Sequence, residues 1–472
     1  MSDPDAIVVG AGPNGLAAAI VLAQAGRSVV VFEAQDAVGG GTRTEALTLP
    51  GFVHDVCSAI HPLAVASPFL RTLPLSDHGL TWIEPEAMLA HPLDDGEAVI
   101  VERSIDHTAA GLGVDASAYR DVMGGMARDW PLLEGSVLGP PAWPRHPLSL
   151  ARFGRHALRP ADAFARGRFR TERGRALFAG LAAHAMLPLT ARPTAGVGLV
   201  LGALAHIAGW PMPRGGAQSI SNALTGCLRA LGGEVVTGSP VRSLDDLPPA
   251  RAVLCDLSPR PFLKVAGHRL PAAYRRRLER FRYGMGVYKI DWALDGPIPW
   301  RAAACARAAT VHLGGTLDQI AQAEHDAWHG RASDRPFVLL VQPSQFDPSR
   351  APAGHHAVWT YCHVPHGSTA DMAGPIERQI ERFAPGFSRR VLARSIMTPA
   401  DLERRNPNLV GGDIGGGVSD LPQLLSRPTL RGYSTPVRGL YLCSASTPPG
   451  AGVHGMCGFF AATRALQEVL RD

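Results

Sequence analysis

The first forty residues constrain the fold of this 472-residue chain more than any other stretch. A short apolar run ends at Val9 and leads directly into GAGPNG, residues 10–15. An Ala-rich stretch follows, and a second apolar run ends at Glu33, eighteen residues after Gly15. Strand, glycine turn, helix and strand in this order predict a βαβ unit that binds a dinucleotide.

Each residue type in this unit has a physical role. Gly10 permits a tight turn, Gly12 lets the backbone approach a pyrophosphate, and Gly15 lets the helix pack closely on the strand. The free N–H groups at the helix N-terminus attract the phosphates. Glu33 can accept hydrogen bonds from both ribose hydroxyls, and an acid here disfavours NADP. The predicted contacts of this unit are Gly10, Gly12, Pro13, Asn14, Gly15, Glu33 and Ala34.

Two further Gly-rich segments distinguish FAD from NAD. Residues 38–43, VGGGTR, follow the ribose acid directly, so the backbone can approach a second part of the same ligand while Arg43 reaches a phosphate or the flavin edge. Residues 439–458 contain a strand, a loop rich in glycine and proline, and the start of a helix.

These segments, with Pro50–Asp55 and Asn406–Asp413, resemble the phytoene desaturase-like FAD-dependent oxidoreductases of the flavin amine oxidase superfamily. Within them the chain is most similar to the subgroup of the pyridine nucleotide-disulphide oxidoreductase domain-containing protein two. The resemblance runs end to end, although Ser444 and Ala451 stand where glycine is usual. It implies that the C-terminal segment brings a helix N-terminus to the flavin. The further FAD contacts that it implies are Gly40, Gly41, Thr42, Arg43, Val241, Ser444, Ala445, Gly452, Val453 and His454.

The predicted fold class is α/β, with a glutathione-reductase-type FAD-binding Rossmann-like domain interleaved with an α+β substrate domain. Residues 1–105, 214–262 and 405–472 are assigned to the FAD-binding domain, which is therefore discontinuous. Residues 106–213 and 263–404 are assigned to the substrate or lid domain. The length of the chain is sufficient for two such units.

Composition excludes several classes of function. The net charge of +5 is small for this length and no nucleic-acid motif occurs, so a nucleic-acid partner is not expected. The chain has seven cysteines and no CxxC, which fits a reducing compartment and excludes a redox-active dithiol of that type. The first strand begins near residue 6 without a targeting segment, and a cytoplasmic protein is expected. The oligomeric state stays open.

Three stretches outside the cofactor segments matter for partners. Residues 131–160 are rich in proline and poor in periodicity, which is typical of a loop or lid. Residues 145–175 carry many arginines and only two acids, so this segment is either a solvated lid or a surface for peripheral contact with an anionic membrane. Residues 193–213 carry no formal charge but are interrupted by glycine and proline, which favours a buried helix over a membrane span.

The chain has one complete dinucleotide fingerprint, so reduction by NADH or NADPH is expected to be slow. The expected reaction is dehydrogenation or desaturation of an apolar, carotenoid-, polyene- or lipid-like small molecule, with electrons passed to oxygen or a quinone. Apolar residues at 181–210, with Trp210, Met212 and Phe262, favour a long apolar pocket, although they could equally form the core. Two alternatives stay open: oxidation of a C–N bond, for which only the Tyr361 and Tyr441 regions could supply an aromatic cage, and a regulatory protein that binds FAD without turnover.

Two residues are predicted to be catalytic. Lys289 is one of only two lysines, and strand alternation places it on one face with Asp291. Its strand resembles the amine oxidase strand whose lysine holds a water at flavin N5, which implies a role in proton movement. The alternative is an ion pair on the surface of an edge strand. His454 lies in the loop expected to face the flavin, or holds a backbone carbonyl there. No metal site is predicted, because no histidine group has ligand partners at suitable spacing.

Overall fold

The structure, a computed structural model, describes residues 3–471. The strands in chain order are β1 (Ala6–Val9), β2 (Val29–Phe32), β3 (Thr44–Glu45), β4 (His54–Asp55), β5 (Trp82–Ile83), β6 (Ala87–Pro92), β7 (Ala98–Val101), β8 (Met212–Pro213), β9 (Glu234–Val236), β10 (Ala252–Cys255), β11 (Gly286–Leu294), β12 (Ala308–Leu313), β13 (Val338–Val341), β14 (His356–Val364), β15 (Val391–Met397) and β16 (Leu440–Leu442).

The α-helices lie between these strands and after the last one. They are α1 (Pro13–Gln24), α2 (Pro62–Ala66), α3 (Ile105–Ala110), α4 (Ala116–Tyr119), α5 (Gly125–Val137), α6 (Pro147–Ala157), α7 (Ala161–Arg168), α8 (Glu172–Ala183), α9 (Thr194–Ile207), α10 (Gln218–Ala230), α11 (Pro259–Ala266), α12 (Ala272–Glu279), α13 (Leu317–Trp328), α14 (Ala373–Phe383), α15 (Pro399–Arg405), α16 (Leu421–Leu425) and α17 (Met456–Glu468).

The cofactor segments meet in one parallel five-stranded sheet. Its order is β16-β10-β1-β2-β9, so strands from the beginning, middle and end of the chain are neighbours. Strand β1 lies at the centre and pairs in register with β10 and β2. All of β1 is buried, as expected for a parallel strand covered on both faces. The predicted Rossmann-like α/β fold class is confirmed.

A second, mixed sheet has seven strands in the order β15-β11-β14-β13-β12-β6-β7. The expected antiparallel pair in the substrate region is β13 with β14. Strands β6 and β7 also belong to this sheet, although they lie inside the range 1–105 assigned to the cofactor domain. The domain boundaries themselves stay a prediction.

Helix α1 is the centre of the cofactor domain's packing. Ten of its twelve residues are buried, because small side chains let sheet and helices approach it from several sides. The C-terminal helix α17 crosses it so closely that a Cβ at Gly458 would overlap the carbonyl oxygen of Asn14. The last residues of the chain therefore support the turn that carries the dinucleotide fingerprint.

Residues 131–160 differ from the loop that their prolines predict, because much of this stretch is helical. Pro131 lies inside α5, and Pro147 starts α6 at its first position, where a missing N–H costs nothing. The uncharged stretch at 193–213 forms the predicted helix, α9, much of which is buried. Within residues 3–471 no helix has the length and apolar character needed to cross a membrane.

Candidate cofactor and substrate site

The glycine turn between β1 and α1 opens onto a large cavity of about 1850 Å³. Gly10 adopts a φ of 101°, and its N–H donates to the Phe32 carbonyl at 2.8 Å, which fixes the turn against β2. Gly12, Pro13 and Asn14 line the cavity. Gly15 does not, because its Cα faces the carbonyl of Gly10, where a Cβ would overlap. Gly15 therefore serves packing, and the other three present backbone to a ligand.

Glu33 ends β2 with its side chain on the cavity wall and only 8% exposed. Its carboxylate accepts hydrogen bonds from the Ala11 N–H at 2.8 Å and the Gln35 N–H at 3.0 Å. A carboxylate has about four lone-pair directions, so two of them remain for a ligand. Ala34 and Val241 line the same part of the cavity.

The second glycine segment lies across the cavity from the first turn. Gly40 starts a short 3-10 helix, and its Cβ would be 3.3 Å from the Cα of Gly12, so the two turns are close neighbours. The Arg43 side chain donates from Nε to the Gly40 carbonyl at 3.2 Å, and burial lowers the pKa of its guanidinium. Gly40, Gly41, Thr42 and Arg43 all line the cavity.

The C-terminal loop contributes Ser444, Ala445, Gly452, Val453 and His454 to the cavity wall. His454 is 1% exposed, and its Nδ1 accepts the Met456 N–H at 3.0 Å. This bond places the ring proton of the neutral imidazole on Nε2, which makes no well-aligned hydrogen bond within residues 3–471. Burial lowers the pKa of His454 to about 4, although the Gly450 and Ala451 carbonyls act in the opposite direction.

Asp256 is a cavity residue that sequence reasoning missed, although it directly follows β10 at the same sheet edge. Its Oδ2 accepts the Gly15 N–H at 3.0 Å and would lie 2.6 Å from a Cβ at Gly12. Burial raises the pKa of Asp256 to about 7; the Gly15 bond opposes this rise, and the charge of Glu33 adds to it. A carboxyl group therefore stands beside the turn that is predicted to hold a pyrophosphate.

The Gly-rich stretch 411–417 also reaches the cavity, through Gly415 and Gly416. The buried side chain of Arg427 donates to the carbonyls of Gly415 at 2.9 Å and Gly416 at 2.7 Å. The buried carboxylate of Asp413 accepts from the N–H groups of Gly415 and Gly417 at 2.7 and 2.9 Å. The sequence shows the glycines, but only the fold shows that one arginine and one aspartate hold them.

Away from the glycine turns, the cavity continues between helices α6 and α9. Leu150, Phe153 and Ala157 recur at helical spacing on α6, and all three line the cavity. Val197, Val200 and Leu201 line it from α9, together with Trp210. Trp359 and Tyr361 form part of the wall from β14, with ring centroids 5.0 Å apart and planes at 82°. Of the residues predicted for the apolar pocket, Trp210 lines the cavity, whereas Met212 and Phe262 are buried in the core.

Lys289 lies one layer behind this wall. It borders a separate space of about 10 Å³, and Cys57, Trp359, Tyr361 and Ile414 border both spaces. Lys289 pairs with Asp291, and burial raises the pKa of that carboxyl to about 6. Strand β11 lies between β15 and β14, so the pair is buried in the sheet and not on an edge.

The pair belongs to a larger buried group of charged side chains. His54 Nδ1 lies 3.6 Å from Asp291, and burial lowers the pKa of His54 to about 3, with Lys289 adding to the effect. Asp55 pairs with the buried Arg350 at 2.9 Å. Within residues 3–471, no group of three or more His, Cys, Asp or Glu side chains is arranged to hold a metal ion.

Comparisons with known proteins agree with this geometry. A family model described as an NAD(P)-binding Rossmann-like domain matches residues 8–73. The pyridine nucleotide-disulfide oxidoreductase domain-containing protein 2 of Rattus norvegicus is 30% identical over 97% of this chain and 92% of its own length. The lycopene-forming phytoene desaturase of Pseudescherichia vulneris is 25% identical over 98% of both chains. A structure of putrescine oxidase bound to putrescine superposes with a TM-score of 0.61 at 18% identity, covering 99% of each chain.

Proposed function

Because the chain belongs to the family of oxidoreductases that includes the pyridine nucleotide-disulfide oxidoreductase domain-containing protein 2 and the phytoene desaturases, we propose that it is an FAD-dependent dehydrogenase of an apolar small molecule. The observation that carries this proposal is the single cavity of about 1850 Å³, which runs from the glycine turns to the apolar walls of α6 and α9. A site for one small ligand usually measures roughly 300–1000 Å³, so this cavity has room for a cofactor and a substrate side by side.

The residues at the glycine end fit FAD. No described residue forms a hydrogen bond with the buried side-chain oxygen of Asn14, and Glu33 keeps acceptor capacity for a ribose. Side chains at Gly12 and Gly40 would fill the space between the two turns. Gly10 to Asn14, Glu33, residues 40–43 and the loop at 444–454 would hold the cofactor. Bound FAD would accept a hydride from the substrate.

The chain's own residues would bind the substrate, exclude water and manage the remaining proton. Transfer of a hydride from a C–H bond and formation of a C=C or C=N bond also release a proton from the adjacent carbon or nitrogen. Burial lowers the pKa of His61, His184 and His454, all on the cavity wall, to about 4, 3 and 4. These imidazoles are therefore neutral at pH 7, and a proton accepted by the free Nδ1 of His61 would pass on to solvent. Oxygen or a quinone would then take the two electrons.

Lys289 does not line the cavity, so we propose that it assists proton movement from behind the wall and not by touching the substrate. The space of about 10 Å³ that it borders matches the lower limit for one water molecule. Such a water would connect the ammonium group to the wall formed by Trp359 and Tyr361. The pairing of Lys289 with Asp291 fixes the position of the Nζ atom beside this space.

Anaerobic reduction tests the proposal. Purified protein loaded with FAD is mixed without oxygen with apolar alkenes, with amines, or with buffer, and the flavin absorbance is followed. We expect apolar alkenes to bleach the flavin. Bleaching by amines alone would overturn the proposal in favour of C–N oxidation, and no bleaching by either class would favour a regulatory FAD protein.

Oxidation of an amine is the second candidate, and the aromatic pair Trp359 and Tyr361 favours it. These rings stand on the cavity wall above Lys289. Tyr441, the other residue considered for an aromatic cage, is buried in β16 and donates to Glu468 at 3.0 Å, away from the cavity. The edge-to-face geometry of the first pair differs from two parallel walls, so we rank this candidate second.

We also propose that residues 145–175 make peripheral contact with an anionic membrane. Leu148, within this segment, is 79% exposed, and Trp143, just before it, is 93% exposed, so both are candidates for anchoring. Arg152 and Arg166 already pair with Asp129 and Asp318, so other arginines would have to neutralise headgroups. Co-sedimentation that is no greater with anionic than with neutral vesicles would contradict this contact.

A further inference from the structure

The two ends of the cavity differ in whether acidic side chains accompany the basic ones. Among residues 3–471, the acidic side chains on its wall are Glu33, Asp256 and Glu403. All three lie at the cofactor end, where Glu403 pairs with Arg260 and Asp256 adjoins the glycine turn. Basic side chains line that end as well: Arg43, Arg242, Arg260, Lys264 and Arg405. The charged side chains on the part of the wall built by α6 and α9 and the segments that flank these helices are Arg155, Arg159 and Arg192.

These arginines share one end of the cavity. The C-terminal end of α6 meets the start of α9, where the Ala195 N–H donates to the Arg159 carbonyl at 3.2 Å. Arg155 and Arg192 are exposed and Arg159 is half-buried, so the group lies where the cavity opens to solvent. The apolar residues with which both helices line the cavity lie along α6 and α9 from this point.

The charges of this group are not neutralised by the protein. Arg155 donates to His156 at 3.3 Å, and Arg159 donates to the Ala163 carbonyl at 3.1 Å and lies 5.7 Å from the Phe164 ring. Within the described residues, none of the three arginines forms an ion pair. The nearby Asp162 instead accepts the N–H of Ala163 at 2.6 Å.

The positive charges also act on a neighbouring histidine. Burial lowers the pKa of His156, and the charges of Arg155, Arg168 and Arg159 lower it further. A guanidinium group binds carboxylate and phosphate oxygens through paired N–H donors. An unneutralised arginine group at the mouth of an apolar cavity is therefore suited to one kind of ligand, a long apolar molecule with an anion at one end.

We propose that the substrate is an amphiphile whose anionic end group, a carboxylate or a phosphate, binds Arg155, Arg159 and Arg192 while its apolar chain runs between α6 and α9 towards the cofactor. This proposal deepens the proposed function and rests on it, because the same cavity holds both. An uncharged alkene would contact the same apolar wall and react, but it would bind more weakly than the amphiphile because it lacks the anionic end. The arginines would also fix which bond along the chain reaches the cofactor, since they hold one end of the molecule.

Binding of a fluorescent polyene acid tests the proposal without turnover. The dissociation constants of cis-parinaric acid and its methyl ester are measured with the FAD-loaded protein by equilibrium dialysis, in buffer without vesicles. We expect the acid to bind at least tenfold more tightly than the ester. The variant Arg155→Gln/Arg159→Gln/Arg192→Gln should bring this ratio close to one and leave the ester's constant within about twofold. A phosphate-ended analogue, farnesyl phosphate against farnesol, distinguishes the two kinds of anion.

A matched control removes the same number of charges from the same region of the surface. Arg120, Arg152 and Arg166 are exposed and pair with Asp106, Asp129 and Asp318, and none lines the cavity. Their triple change to Gln should keep the ratio of acid to ester binding. An equal ratio in wild type and the cavity variant would overturn the proposal.

Binding to vesicles of phosphatidylglycerol and of phosphatidylcholine tests whether the three arginines bind lipid headgroups of a membrane instead of a substrate. If the cavity variant loses vesicle binding but keeps its preference for the acid, the arginines serve a membrane surface and the proposal fails. Failure of the proposed function is seen separately, as an unbleached flavin in a protein that still prefers the acid.

Discussion

We predict that the carboxyl group of Asp256 makes the affinity for FAD depend on pH. Its Oδ2 would lie 2.6 Å from a Cβ at Gly12, the residue where the backbone is expected to approach the pyrophosphate. Two unit charges separated by about 5 Å at an effective dielectric constant of about 20 repel by about 3 kcal/mol. FAD should therefore bind the form of the protein in which Asp256 is protonated.

The size of the pH effect on FAD affinity follows from the pKa of Asp256 in the folded protein, about 7, which lies above the ordinary value of 3.8. A raised carboxyl pKa means that the folded protein prefers the protonated form, so below pH 7 FAD binding requires no additional proton. At pH 8.5, protonation costs about 1.5 times 1.36 kcal/mol, or about 2 kcal/mol. FAD affinity should thus be nearly constant below pH 7 and fall about 30-fold between pH 6 and pH 8.5.

Titration of the apoprotein with FAD, followed by flavin fluorescence at several pH values, measures this dependence. Asp256→Asn keeps an oxygen for the Gly15 N–H and carries no proton to lose, so its affinity should vary less than threefold over the same range. Asp245→Asn, at an exposed carboxylate paired with Arg269, serves as the control and should behave like wild type. An identical pH profile in Asp256→Asn would refute the reasoning, as would a flat profile in wild type.

Four further predictions follow from named contacts. Glu33→Ala should weaken FAD binding at least tenfold in the same titration, since hydrogen bonds to a charged group contribute about 1.5–3 kcal/mol. Lys289→Met should keep FAD but slow reoxidation of the reduced flavin about tenfold in stopped-flow experiments; unchanged reoxidation would make the residue structural. Gly15→Ala should lower the melting temperature sharply because its Cβ overlaps the Gly10 carbonyl, whereas Gly135→Ala, in open space on α5, should not. NADH and NADPH should reduce the flavin slowly or not at all in anaerobic rapid mixing, and fast reduction would refute this.

The cofactor end of the site could be predicted because its residues act through the backbone. Gly10 and Gly12 are required by local geometry, and their spacing appears directly in the sequence. Asp256 could not be assigned in the same way. Its role depends on β10 lying beside β1, and this pairing joins residues far apart in the chain. The sequence does predict the strand that precedes Asp256. A carboxyl group at the end of a parallel strand is the signal that identifies such a residue as a candidate for the site.

The substrate end could be predicted only in outline. The sequence predicts an apolar pocket. The prolines at 131 and 147 favour a loop there, so the sequence does not predict the helices that contain them. The helical spacing of Leu150, Phe153 and Ala157 was the available signal. Lys289 and Asp291 share a face as alternation predicts, yet only the position of β11 between two other strands shows that the pair is buried.

The order of strands in the parallel sheet also has a consequence for how the protein is made. Strand β10 pairs with β1 on one side and with β16 on the other, and α17 closes over Asn14. At roughly 5–20 residues per second, synthesis reaches β16 about 20 to 90 seconds after it completes β1. Throughout that interval the glycine turn lacks the helix that supports it. We therefore expect the nascent chain to hold FAD stably only after α17 has been synthesised, and a truncation before α17 should yield a protein without cofactor.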